Sequence, residues 1–117
     1  MVKPVRINCR LLYDDVVDLA KMKMLGKKIC VTKEFNDTFK EFFNDTANLV
    51  GLKTNRKELK LHRRVFLYED NYTMLQRAIK SSYLYKNLIV REVFRAMVKK
   101  LRVKYPNYKF IKYEVIE

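Results

Sequence analysis

Apolar and polar positions alternate from Val5 to Arg10: Val5, Ile7 and Cys9 fall on one side, Arg6, Asn8 and Arg10 on the other, the pattern of a half-buried strand with a polar outer face. Beyond it the period lengthens. Asp14 to Met24 predicts a short helix, with Asp14 or Asp15 placed to cap it, Val17, Leu19, Ala20 and Met24 available for burial, and Gly26 to end it. A longer helix follows from Thr32, whose hydroxyl suits an N-cap. Phe35, Phe39, Phe42 and Phe43 share one stripe of that helix, which reads as core rather than as a ligand pocket; Ala47 extends the stripe and Gly51 terminates it. Glu58 to Tyr68 reads as two short strands, ELKLH and VFLY, with Leu59 and Leu61 facing one way and Lys60 and His62 the other. Their join at Arg63-Arg64 is tight, and neither residue readily takes the positive φ of the favoured two-residue turns. Glu69-Asp70-Asn71 then supplies caps for a second main helix running to about Lys86. Leu75, Ile79, Tyr83 and Met74 form its buried stripe, and Arg77, Lys80 and Lys86 face solvent or phosphate.

The segment Leu88 to Lys104 satisfies two periods at once. Val90, Phe94, Met97 and Leu101 fall at helical spacing, while Phe94, Ala96 and Val98 alternate with Arg95, Met97 and Lys99 as in a strand. Tyr105-Pro106-Asn107 breaks the chain, since proline fixes its own φ and disfavours helix in the residue before it. The aromatic and β-branched run from Tyr108 to Ile116 reads as a strand.

Charge changes the picture most. Lys and Arg outnumber Asp and Glu by 26 to 13 in 117 residues, a formal net charge of +13, and a surface with that excess repels itself unless a polyanion neutralises it. The length suits a single domain over residues 1–117, with a hydrophobic fraction of 49% that is enough to fold. Cys9 and Cys30 lie far apart and nothing at the N-terminus resembles a secretory signal, so reduced thiols in an intracellular protein are expected, Cys9 as a small core residue. No apolar run approaches the length of a membrane span.

Catalytic machinery is not expected. His62 is the lone histidine, the two cysteines lack a zinc-type spacing, and two glycines in the whole chain leave no room for a phosphate-cradling loop. The sequence therefore assigns no catalytic residue, no metal ligand, no cofactor and no small-molecule substrate.

Several short motifs resemble the eukaryote-type large-subunit ribosomal protein family numbered twenty-two, the L-twenty-two-e family. Cys9 followed by Tyr13-Asp14-Asp15 is similar to that family's first strand and the acidic step after it, with Asn8 in place of an acid. Tyr83-Leu84, Lys86-Asn87 and Arg91-Glu92-Val93-Phe94-Arg95 resemble its basic helix and the start of its final hairpin. Leu25 to Val31 then stands as an insertion relative to the family.

The resemblance tips the ambiguous segment, 88–104, towards strand over helix. It implies an α+β fold, a single two-layer domain in which a mainly antiparallel sheet carries two principal helices on one face, in the order β-α-β-β-α-β-β. It also implies a structural constituent of the cytosolic ribosome's large subunit, bound to large-subunit ribosomal RNA and to neighbouring ribosomal proteins. The RNA-binding candidates are Lys53, Arg56 and Lys57 in the mid-chain loop, Lys60, Arg63 and Arg64 around the predicted hairpin, Arg77, Lys80 and Lys86 on the second main helix, and Arg91, Arg95, Lys99, Lys100, Arg102 and Lys104 before the last turn. Arg63, Arg64, Arg91, Arg95 and Arg102 add forked or stacked contacts, and Tyr85, Tyr105 and Tyr108 are candidates to stack on unpaired bases. Two other classes fit the charge: a basic accessory subunit docking on protein partners, favoured if Leu88 to Lys104 is helical, and a small DNA-binding protein.

Overall fold

The computed structural model describes residues 3–26, 28–45, 47–50, 52, 56–82 and 85–113. The alternation at the start of the chain forms strand β1 (Val5–Leu12), which pairs antiparallel with β2 (Lys60–Leu67), Val5 opposite Leu67 and Leu12 opposite Lys60. Ile7, Cys9 and Leu11 of β1 and Leu61, Val65 and Leu67 of β2 form the buried row. On the other face Arg6 stands opposite Phe66, Asn8 opposite Arg64, and Arg10 opposite His62. The expected hairpin at Arg63-Arg64 is absent: the chain runs through that pair as one strand. The pair supplies no turn chemistry, and a straight run keeps Leu61, Val65 and Leu67 on one face.

Helix α1 (Tyr13–Met24) follows β1 directly and buries Val17, Leu19 and Met22, whereas Met24, expected inside, is exposed. Neither Asp14 nor Asp15 caps it; both lie in its first turn, where negative charge favours the helix dipole. Gly26 ends α1 as expected. It sits at φ +77° and donates its N–H to the Lys23 carbonyl at 3.1 Å, with Leu25 N–H on Met22 at 3.2 Å. Nothing stands within 4 Å of a Cβ placed on Gly26, so Gly26→Ala meets only the left-handed backbone. The expected loss is about 1–2 kcal/mol, read from the urea midpoint.

Helix α2 (Val31–Asn44) starts one residue before Thr32, with Cys30 rather than Thr32 at its N-cap. Phe35 and Phe39 are fully buried, and Phe42 and Phe43 pack partly buried against them, the Phe39 and Phe43 rings stacked 4.6 Å apart. A single turn, α3 (Ala47–Val50), stands where an extension of that helix was expected, and Gly51 lies outside the described residues. Helix α4 (Glu69–Ser82) buries Leu75 and Ala78 and leaves Arg77 and Lys80 exposed; it stops short of Lys86, and Tyr83 lies outside the described residues.

The largest departure is helix α5 (Lys86–Lys104), where the ambiguous segment was expected to be strand. Its 19 residues span about 28 Å through the middle of the molecule, packed against β1, α1, α2 and α4. A strand would set Met97 and Leu101 on the face opposite Phe94 and Val98. The helix buries all four, together with Ile89, Val90 and Val93. Pro106 then breaks the chain as predicted, but as the first residue of a 3-10 helix (Pro106–Phe110), a place where its missing N–H costs nothing. Ile111 to Tyr113 has no regular structure, so no final strand forms through 113, and residues 114–116 of that expected strand lie outside the described set.

The fold is thus α+β, with one two-stranded antiparallel sheet and the order β-α-α-α-β-α-α among the described residues, in place of the longer sheet and the β-α-β-β-α-β-β order. Two asparagines close much of the sheet's edges. Asn87 of α5 accepts from the Arg10 N–H at 2.6 Å and donates to the Arg10 carbonyl at 3.4 Å, pairing with β1 as a neighbouring strand would. Asn36 of α2 donates to the Phe66 carbonyl at 2.9 Å and accepts from the Tyr68 N–H at 2.8 Å at the end of β2.

Candidate nucleic-acid interface

The sequence treated its basic residues as surface charge, and the fold divides them. Arg56 and Glu92 form a two-pronged ion pair at 2.8 and 2.7 Å with both side chains buried, and Arg91 donates to the same carboxylate at 3.0 Å. Burial disfavours the Glu92 charge, but the hydrogen bonds from Arg56 and Arg91 outweigh it and hold the carboxyl below its ordinary range. Arg102 is likewise committed, to Asp15 at 2.9 Å and Asp18 at 2.8 Å. Burial raises the Asp15 carboxyl against the pull of Arg102, and its Oδ2 has no partner among the described residues. All three arginines are engaged by carboxylates within the fold.

Other candidates are partly engaged. Lys100 pairs with Glu41 at 2.8 Å across the surface, and the Lys60 ammonium donates to the Arg56 and Glu58 carbonyls. Arg63 points along the inner row of β2, half-buried, with its guanidinium on the His62 carbonyl at 2.7 Å. Lys57, Arg77, Lys80, Lys99 and Lys104 are exposed, Arg95 is half-buried, and Lys53 lies outside the described residues. These residues come from separate elements and make no single site.

The outer face of the sheet does gather charge. Arg6 and Arg10 of β1 and Arg64 of β2 are exposed on one surface with Asn8 and His62, and none of the three arginines has a carboxylate partner among the described residues. Neither strand contains an Asp or Glu, so no local acid offsets them. Phe66 sits in the same row, 39% exposed. The Asn87 contact to Arg10 brings the start of α5, where Lys86 and the 79% exposed Tyr85 precede Asn87, to the β1 edge. Lys86 is near enough to pull on the Cys9 thiol, although burial dominates and pushes that thiol up to about 11. Of the other two tyrosines named for stacking, Tyr105 and Tyr108 are half-buried and pack on the core.

Sequence reasoning gave Arg64, Lys86 and Tyr85 and missed Arg6, Arg10 and Phe66. The signal was present in the alternation of VRINCR, whose polar side carries two arginines and an asparagine. Read strand by strand, that side looks merely solvated; paired with β2 it becomes half of a two-strand basic surface. Both cysteines are free thiols, Cys9 buried and Cys30 exposed. Among the described residues no group of three His, Cys, Asp or Glu is placed to hold a metal ion, and no helix is long and apolar enough to cross a membrane. Comparison with protein-family models, with curated proteins and with solved structures finds no match to this chain.

Proposed function

We propose that this chain is a non-enzymatic RNA-binding protein that holds a partly single-stranded RNA segment against the outer face of its two-stranded sheet. The observation that supports this most is the acid-free face itself, with Arg6, Arg10 and Arg64 across two strands and Lys86 at its edge. Cations so placed displace condensed counterions from phosphates, which gives affinity with a steep salt dependence. Phe66 and Tyr85 offer ring faces to unstacked bases, and each stacked base contributes about 1–3 kcal/mol. The deep, narrow major groove of duplex RNA would not admit this face, so loops and single strands are the preferred targets.

The resemblance to the L-twenty-two-e family points to large-subunit ribosomal RNA as the ligand, with neighbouring ribosomal proteins as further contacts and the cytosolic ribosome as the location. That narrower reading rests on the short motifs and the charge, because the Arg91–Arg95 motif, a hairpin start in that family, is helical here. The docking alternative was favoured if Leu88 to Lys104 is helical, with Val90, Phe94, Met97 and Leu101 as a docking or core face; the segment is helical, and all four residues are core.

Titration against large-subunit ribosomal RNA fragments and duplex DNA across a salt series tests the proposal. RNA should bind preferentially, and its log affinity should fall steeply with log salt. The Arg6→Ala, Arg10→Ala, Arg64→Ala triple variant should lower the magnitude of that slope by about 2. An unchanged slope in the triple variant would move the contact away from the sheet; weak binding to both nucleic acids with little salt dependence would end the RNA reading.

A further inference from the structure

The outer edge of β2, which pairs with no strand among the described residues, borders a cleft of about 390 Å³. Four consecutive residues of β2, Arg63 to Phe66, line it from both faces of the strand, so the cleft runs along the strand edge rather than under the middle of the sheet. Its floor is apolar: Leu11, Leu19, Phe35, Val65 and Phe94 contribute to it, and all five are core residues. Its rim is basic. Lys23 of α1 stands there with Arg63 and Arg64, and none of the described lining residues is acidic.

Beside it, one residue has both its backbone groups open. Arg10 turns its N–H and carbonyl to Asn87, away from β2, so Arg10 and His62 form a pair that exchanges no hydrogen bonds. His62, Arg64 and Phe66 therefore present their backbone groups to the outer edge of β2. The His62 carbonyl is taken by the Arg63 guanidinium and the Phe66 carbonyl by Asn36. The Arg64 N–H and carbonyl have no partner among the described residues.

We propose that this edge and cleft bind an extended segment of a partner protein in which an apolar residue is flanked by carboxylates. The segment adds as a short third strand, exchanging two main-chain hydrogen bonds with Arg64 and setting its apolar side chain on the Leu19 and Phe35 floor. Its flanking carboxylates face Lys23 and Arg64, the charge complement that a rim without acids among its described residues selects. Asn36 blocks extension past Phe66, which limits the pairing to a few residues. A free amphiphile would fill the floor but would leave the Arg64 backbone unused. This site goes beyond the RNA-binding face and stands independently of it, sharing only Arg64 and Phe66.

The probe is a fluorescein-labelled, terminally blocked peptide, Glu-Val-Ile-Val-Glu, followed by fluorescence anisotropy with the full chain. Saturable binding is expected, with a loss of tenfold or more in the Lys23→Glu variant, whose site is exposed on α1, and in Ala20→Phe, which fills the cleft. A peptide N-methylated at its central residue should bind at least tenfold more weakly, and Lys-Val-Ile-Val-Lys should not bind. RNA binding by the Lys23→Glu variant should be unchanged, which separates this site from the sheet face. Equal binding of the acidic and basic peptides, or failure of the acidic peptide while dodecanoate binds, overturns the proposal. Binding seen only when residues 114–117, Glu-Val-Ile-Glu, are replaced by Gly-Ser-Gly-Ser would assign the cleft to this chain's own sequence and overturn a partner in trans.

Discussion

Glu92→Leu should destabilise the protein by about 3–5 kcal/mol, because it removes the buried carboxylate that Arg56 and Arg91 share and leaves the buried Arg56 guanidinium with only the more exposed Glu58, at 3.7 Å, as a carboxylate partner among the described residues. For a domain whose whole stability is on the order of 5–15 kcal/mol, that is a large fraction, and a urea titration by circular dichroism measures it. The Arg56→Met, Glu92→Leu double variant should regain part of the loss, since a buried pair replaced by apolar groups of similar volume is often close to neutral. A Glu92→Leu loss within about 1 kcal/mol would mean that both guanidinium groups escape to water. Acid pH probes the same site. The Glu92 carboxyl lies lower in the folded chain than its unfolded value near 4.3, so its contribution is full above that pH and is lost as pH falls through the folded value. Asp15 has the opposite sign: its raised carboxyl binds a proton more readily when folded, so its effect on stability improves as pH falls. Glu92→Gln should therefore flatten the acid side of the stability profile, and Asp15→Asn should steepen it.

The internal use of arginine explains why the binding surface was only partly legible in the sequence. Arg102 meets Asp15 across 87 positions and Arg56 meets Glu92 across 36, and no local pattern marks either partner. Counted along the chain, these cations look the same as Arg6, Arg10 and Arg64. What periodicity carries, it carried well. The β1 alternation, the phenylalanine stripe of α2 and the proline break at 106 stand in the structure because each reports a local contrast between two faces. α5 was lost to the opposite condition. Leu88 to Phe94 is buried without a break, so helix and strand periods both fit, and the family resemblance then tipped the reading to strand. β2 was divided because a lysine and arginine-rich stretch resembles a loop until a partner strand buries Leu61, Val65 and Leu67.

Asn36→Ala is expected to cost about 2–4 kcal/mol, more than a typical polar deletion, because one fully buried amide makes four hydrogen bonds that join α2, the end of β2 and α4. Its Nδ2 donates to the Thr32 carbonyl at 2.7 Å and to Phe66 at 2.9 Å, and its Oδ1 accepts from Tyr68 N–H at 2.8 Å and from Asn71 Nδ2 at 2.9 Å. Truncation leaves the Phe66 carbonyl and the Tyr68 N–H without this partner; the Asn71 Nδ2 keeps only the Asn36 backbone carbonyl, at 3.3 Å. The aspartate substitution distinguishes the amide's donors from its acceptor. Asn36→Asp preserves the acceptor for Tyr68 and Asn71 but sets a buried negative charge against two carbonyl oxygens. Its carboxyl should therefore titrate well above the usual range, and the variant should be at least as unstable as Asn36→Ala at neutral pH. As pH falls through that raised value the carboxyl gains a proton to donate, so the variant should recover stability relative to Asn36→Ala. Parallel pH profiles for the two variants would show that the donors to Thr32 and Phe66 contribute little, and that Asn36 acts through its acceptor oxygen and the space it fills. Recovery in acid would identify it as the hydrogen-bonded junction that ties α2, α4 and the end of β2 together, and so fixes the sheet on which Arg6, Arg10 and Arg64 are displayed.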